Sequence, residues 1–255
     1  MEESNNLTKK EFWSENWKKM KLPVRYVHGD YSHQILTGLL DEYVAKKRGS
    51  FLEIGGCPGR WSDFFYNRFN MSCDSMDYDQ NNVDITNENY RLLGIDGEAF
   101  LGDITDSNGV VRKKYDIVFS DGLVEHFKES GEVFKNHVRY LDSNGLLIIG
   151  VPNIKDSWLY DFFAKKDKVA YDGYRHIPAE ELSKYAKENG LEVLFCGYIG
   201  VFNIGLVHSF ALSFLITKGF VIIDLLSRML LRMFGVKKET RLFSPYIYLI
   251  VKKDE

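Results

Sequence analysis

Residues 51–61, Phe51-Leu52-Glu53-Ile54-Gly55-Gly56-Cys57-Pro58-Gly59-Arg60-Trp61, decide how the rest of the chain is read. The apolar run from Phe51 to Ile54 has the length of a short buried strand. Glycines and a proline follow at once, and residues 60–69 then carry a helical pattern. A strand that turns through small residues into a helix lets backbone approach a ligand. It also offers the helix's first N–H groups, at the positive end of the dipole, to a carboxylate or phosphate. Glu53 stands inside the apolar run, where an acid rarely sits without a partner.

Downstream of this turn, short apolar runs alternate with helical stretches. Strands are expected at 72–77, 98–101, 115–120 and 146–151, the last after an Asn144-Gly145 turn. Helices are expected at 80–93, at 123–141, and from Pro178 to Asn189-Gly190, with strands at 191–198 and 246–251 closing the chain. Upstream, Ile35, Leu36, Leu39, Leu40, Tyr43 and Val44 mark a helix over 32–47, and Trp13 and Trp17 share one helical face. Such alternation implies a parallel sheet with helices on both faces. The expected fold is α/β, Rossmann-like and doubly wound, with a mostly parallel seven-stranded sheet. An N-terminal helical lid over 1–47 precedes a Rossmann-like domain over 48–255, which carries an apolar helical insertion at 199–240 before the last strand.

The 255 residues are 45% hydrophobic and 27% charged, which excludes a disordered tail and a multi-span membrane protein. Thirty-three Lys and Arg against 36 Asp and Glu leave a net charge of −3, so no global field favours nucleic acid, and none is expected as a partner. Cys57, Cys73 and Cys196 form no CxxC pair and no metal spacing, which suggests reduced thiols. Met1 to Lys10 has no apolar core of a signal peptide, so a cytoplasmic location is expected. Between Glu192 and Lys218 there is no Asp, Glu, Lys or Arg, and Arg228 and Arg232 then punctuate an apolar stretch. Gly197, Gly200, Gly205 and His208 interrupt the uncharged run too often for a membrane span. Helices that cover the sheet and the pocket are expected there; the alternative is an interfacial helix pair that makes peripheral membrane contact through 206–235.

Three more features gather at strand ends: Asp77, then Asp103-Ile104, then Ser120-Asp121-Gly122. Open α/β sheets bind ligands at those ends. With these residues in place the chain resembles the class I S-adenosylmethionine-dependent methyltransferases of the small-molecule type. FLEIGGCPGRW resembles that family's first motif, DYD at 77–79 its second acidic site, and GDIT at 102–105 its adenine site. YDIVFSDGLVEHF at 115–127 and GLLIIGVPN at 145–153 are similar to its fourth and fifth strand motifs. The likeness is close over 48–153 and looser over 175–194 and 244–253; Cys57 replaces the family's middle glycine. The resemblance implies S-adenosyl-L-methionine as cofactor. Gly55, Gly56, Cys57 and Gly59 would line its methionine part, and Glu53 would orient that end. Asp77 would hold the ribose with Tyr78 near the adenine, Asp103 and Ile104 would flank the adenine, and Ser120 and Asp121, followed by Gly122, would sit below the sulfonium. The glycine spacing fits neither a dinucleotide fingerprint nor a P-loop.

Methyl transfer from a sulfonium is an in-line displacement, so positioning supplies much of the catalysis, and a base is needed where the nucleophile keeps its proton. His126 and His176 are the catalytic candidates, ahead of His28 and His33. Glu125-His126 is similar to the ending found in metal-assisted quinone-type O-methyltransferases. The further acid that pattern wants is Gly122 here, so no metal is expected. Trp13, Trp17, Tyr26, Tyr31, Trp158, Tyr160, Tyr171 and Tyr174 are candidates for lid and pocket walls, with Trp13 expected to close over the cofactor. The expected acceptor is a small or lipid-linked molecule of sugar or isoprenoid type, methylated on oxygen, and the chain also resembles methyltransferases of surface-glycan assembly. A non-catalytic methyltransferase-like binding module and a protein methyltransferase are the alternatives.

Overall fold

The computed structural model describes residues 5–8, 17, 20–27, 31–44, 49–109, 111, 113–165, 171–200 and 239–254. Trp13, His28 and the 206–235 stretch lie outside the described residues.

Helix α1 (Tyr31–Tyr43) leads into strand β1 (Ser50–Ile54), helix α2 (Arg60–Phe69), β2 (Ser72–Asp77), α3 (Gln80–Leu93) and β3 (Ala99–Leu101). The second half runs β4 (Tyr115–Asp121), a 3-10 turn (Val124–His126), α4 (Ser130–Val138), β5 (Leu141–Pro152), α5 (Trp158–Ala164), α6 (Ala179–Glu188), β6 (Leu191–Ile199) and β7 (Tyr246–Lys253). The seven strands lie in the order β3-β2-β1-β4-β5-β7-β6. All pairs are parallel except β5 with β7 and β6 with β7. The expected doubly wound, mostly parallel sheet is the observed one. From β1 the chain winds outward to β3, then returns to lay β4 on the other side of β1. That reversal opens a crevice at the carboxyl ends of β1 and β4.

Side-chain alternation explains why the central strands β1, β4, β5 and β7 are largely apolar. Phe51, Ile117, Phe119, Ile148 and Ile250 point to the face covered by Leu36 and Leu40 of α1 and by Trp61, Phe64, Phe65 and Phe69 of α2. Leu52, Val118, Leu147, Ile149, Leu249 and Val251 point to the other face, with Phe134 of α4 and Leu182 and Ala186 of α6. A strand buried on both faces has no polar side to show. Local signals set the helix ends. The Asp79 carboxylate caps α3 by accepting from the Asn81 N–H at 3.0 Å, and Gly190 follows α6 with φ +68°.

The helix expected over 123–141 is corrected. It breaks into the 3-10 turn, an extended Phe127 (φ −118°, ψ 142°), a shorter α4, and β5 already beginning at Leu141. The cause is tertiary. Residues 5–8 pair with this loop: Leu7 N–H donates to His126 O at 2.7 Å, and Lys128 N–H to Asn5 O at 2.9 Å. Asn6 and Phe127 form an antiparallel bridge. Extended pairing and a helix cannot share the same backbone N–H groups, so the amphipathic pattern yields at Phe127.

Candidate active site

A cavity of about 250 Å³ opens at the β1/β4 crevice. Of the residues singled out in the sequence, Gly55, Asp77, Tyr78, Asp103, Ile104, Asp121, Gly122 and His126 line it. Trp17 joins them, as do Ile54, Met76, Asn82, Gly102, Leu123 and Phe127, and Asn6 and Thr8 of the N-terminal strap.

The β1 end is closed from within. Glu53 is 2% exposed. Its Oε2 accepts from the Ser62 N–H at 2.9 Å and from the Ser62 hydroxyl at 2.6 Å, and the Tyr90 hydroxyl donates to Ser62 Oγ at 2.6 Å. Glu53 therefore takes up one of the first N–H groups of α2, a group that the sequence reading offered to a ligand. Burial pushes its carboxyl up to about 7, against the lowering effect of Ser62. Gly56 is required here, because a Cβ on it would lie 1.9 Å from Glu53 Oε1. Glu53, Gly56, Cys57 and Gly59 do not line the cavity; Cys57 is buried, with its thiol pushed up to about 12 chiefly by burial. Sequence gives their proximity to the site but not the direction in which Glu53 points.

At the β2 end, Asp77 Oδ1 accepts from the Asp79 N–H at 2.9 Å, and the Asn82 side-chain amide donates to both carboxylate oxygens at 3.2 Å. Asn82 Oδ1 is buried and has no hydrogen-bond partner among the described residues. At the β3 end, Asp103 Oδ1 accepts from the N–H and hydroxyl of Thr105 at 2.8 and 2.7 Å, and Ile104 is buried beside it. At the β4 end, Trp61 Nε1–H donates to Asp121 Oδ2 at 3.0 Å and the Tyr248 hydroxyl to Oδ1 at 2.9 Å. Two layers of the fold thus hold Asp121 at the centre of the crevice. Ser120 lies one position earlier, fully buried, outside the lining.

The two histidine candidates part company. His126 is buried on the cavity wall. Its Nδ1 lies 2.9 Å from Gly173 O and 2.9 Å from Thr8 Oγ1, and Thr8 Oγ1–H donates to Gly173 O at 3.1 Å. A carbonyl only accepts, so the ring proton sits on Nδ1 and the lone pair on Nε2. Burial pushes His126 down to about 4, and the ring is neutral at ordinary pH. The Tyr174 ring packs on it at 4.6 Å. His176 does not line the cavity; its Nε2 lies 3.0 Å from Asp156, which also binds Arg241 and the Tyr198 hydroxyl. Among the proposed lid aromatics, Tyr26 packs on Trp61 and Phe64, Tyr160 is buried, Tyr171 donates to Asp161, and Trp158 is exposed. Among the described residues no group of three His, Cys, Asp or Glu side chains is placed to hold a metal.

Residues 25–194 match the sequence model of a family described as a methyltransferase domain. The chain belongs to this methyltransferase family. No curated protein matches it. Solved structures share the fold at low identity. Coclaurine N-methyltransferase bound to N-methylheliamine and SAH has a TM-score of 0.60 at 16% identity, over 91% of this chain and 77% of that one. Phosphoethanolamine N-methyltransferase 2 of Haemonchus contortus in complex with S-adenosyl-L-methionine has 0.59 at 14%, over 88% and 53%. The [4+2]-cyclase SpnF has 0.59 at 15%, over 86% and 80%.

The cavity fits S-adenosyl-L-methionine, the cofactor that the sequence resemblance implies. Carboxylates stand at the ends of three strands, and Ile54, Met76 and Ile104 supply apolar walls for a ring. The buried orphan oxygen of Asn82, beside Asp77, calls for a donor such as a hydroxyl.

Proposed function

We propose that this methyltransferase acts on a small or lipid-linked acceptor, presented as a neutral hydroxyl of sugar or isoprenoid type. The observation that carries this reading is the convergence of Asp77, Asp103 and Asp121 on one cavity that no Lys or Arg lines among the described residues. Such a lining suits a cationic donor with a neutral acceptor. Asp77 and Asn82 would hold the ribose hydroxyls, Asp103 and Ile104 the adenine, and Asp121 the sulfonium end. When bound, the cofactor supplies a methyl group activated by a positive sulfur. Trp17, Leu123, Phe127 and His126 would wall the acceptor side. There His126 Nε2 would accept a hydrogen bond from the acceptor hydroxyl and orient its lone pair for in-line attack. With its ring pushed down to about 4, His126 orients the hydroxyl without keeping the proton.

Calorimetry tests the donor half. Micromolar binding of S-adenosylmethionine and S-adenosylhomocysteine, with none of NAD, is the expected result, weakened at least tenfold by Asp77→Ala. Absence of binding to a folded chain would sink the reading. The acceptor half is tested by methylation of a panel of glycans, isoprenoid phenols and peptides with labelled donor; transfer to none would favour a non-catalytic binding module, and transfer to peptide a protein methyltransferase.

Membrane contact through 206–235 belongs to the same proposal, at the cytoplasmic face. It is motivated by the uncharged run after Glu192. Among the described residues no helix is long and apolar enough to cross a membrane. The chain is expected to pellet with anionic liposomes and to stay in solution once 206–235 is deleted.

A further inference from the structure

One buried group at the cavity wall has no assignment. Glu125 sits in the 3-10 turn between β4 and α4 and is 1% exposed. Beyond a contact with its own backbone N–H, neither carboxyl oxygen has a hydrogen-bond partner among the described residues. Its Oε1 lies 3.7 Å from His126 Nε2 and 3.6 Å from where a Cβ on Gly122 would stand, and both of those residues line the cavity. A carboxyl without partners in an apolar setting is costly to keep. Its position directly behind two lining residues, Gly122 and His126, gives it a use.

We infer that Glu125 is the proton acceptor of the methyl transfer, and that the cationic donor switches it on. The inference rests on the methyltransferase reading of this cavity. Burial pushes the Glu125 carboxyl up to about 8, so with no cation beside it the group is protonated near neutral pH. Asp121, from β4, adds to this by repulsion. His126, from the same turn, is neutral. Arg175, from the segment before α6, donates its backbone N–H to Glu125 O at 2.7 Å, while its guanidinium is held by Glu181 and Tyr185. No cation among the described residues counters the burial.

A sulfonium brought into the cavity supplies the missing positive charge and favours the carboxylate, so a proton leaves as the donor binds. In the transfer the acceptor's oxygen forms a bond to the methyl carbon as the carbon–sulfur bond breaks. The electron pair of that bond stays on sulfur, which becomes a neutral thioether, and the hydroxyl proton passes by way of His126 Nε2 to Glu125 Oε1, 3.7 Å behind it. A positive sulfur and a carboxylate are thereby replaced by two neutral groups, and total charge is unchanged. With the neutral product bound, Glu125 has its proton back, and the next donor expels it.

The test needs no acceptor. Binding of S-adenosylmethionine and of S-adenosylhomocysteine to the full chain is measured by calorimetry near pH 7 in buffers of different ionisation enthalpy, which counts protons exchanged. The sulfonium ligand is expected to release most of one proton more than the thioether, and Glu125→Gln to abolish that difference while still binding both. Difference infrared spectroscopy of wild-type protein gives a readout that needs no variant: a protonated-carboxyl band is lost on adding S-adenosylmethionine and kept on adding S-adenosylhomocysteine. Equal proton release by the two ligands, or a difference that survives in Glu125→Gln, would overturn the inference and leave the cofactor site standing. Failure of both ligands to bind would overturn the cofactor reading itself and the inference with it.

Discussion

Glu53 and Glu125 lie at or just beyond the carboxyl ends of two adjacent parallel strands, both buried, both with carboxyls pushed well above the usual range by burial. Their surroundings divide them. Glu53 is answered within the chain by Ser62, itself held by the Tyr90 hydroxyl, and does not line the crevice. Among the described residues Glu125 is answered by nothing beyond its own backbone N–H, and it backs onto the crevice wall. A buried acid tied to its neighbours' side chains holds a turn together; a buried acid left without them is held ready for a ligand. The pair therefore separates scaffold from chemistry at one sheet edge, where residue type and burial are the same.

The contrast can be broken by substitution. Glu53→Ala should cost the most, about 3 kcal/mol in denaturant melts, because it leaves the Ser62 N–H unpaired and opens a void. Gly56→Ala should cost roughly 2 kcal/mol by forcing a Cβ onto Glu53. In a Gly56→Ala, Glu53→Ala double variant that clash has no partner, so the two losses should fall short of additivity by about 1 kcal/mol. Full additivity would show that Gly56 answers to something else. Gly122→Ala should cost about 1 kcal/mol, from the φ of +73° alone, since the space beside Glu125 admits a methyl group.

The smallest effect is one of pH. Both glutamates have raised values in the folded chain, so their contributions are complete below the unfolded value near 4.5 and are lost as pH rises through about 7 and about 8. His126 and His137 act in the other direction, losing their contribution as pH falls from 6.5 through about 4. Between pH 7 and 8 the Glu125 contribution is the one still changing most. Tm should fall over that interval in wild-type protein and hold nearly level in Glu125→Gln; an unchanged slope would remove Glu125 as the group responsible.

Much of this was legible in the chain. Runs such as 115–120 and 146–151 are apolar on both faces because both faces are covered, and that pattern needs no tertiary knowledge. Asp77, Asp103 and Asp121 were legible because strand ends are where this topology binds ligands. Three things were not. Glu53 turns inward because Ser62 stands one helical turn into α2, a pairing that sequence spacing permits without requiring. Phe127 leaves the helix because residues 5–8, far away in sequence, claim its neighbours' backbone groups. Glu125 was visible only as half of a metal-type ending, since periodicity does not report whether a buried acid finds a partner.

The strap at residues 5–8 has a kinetic consequence. Asn6 and Thr8 form part of the cavity wall, and residues 5–8 are fastened by a two-residue bridge, backbone hydrogen bonds at Leu7 and Lys128, and side-chain bonds of Thr8 and Asn5. So short a ladder frays far more often than the sheet behind it unfolds. The residence time of a spent cofactor would then follow the opening of that bridge, placing turnover under the control of departure rather than bond-making. Amide exchange at Leu7 and Lys128 would keep time with it.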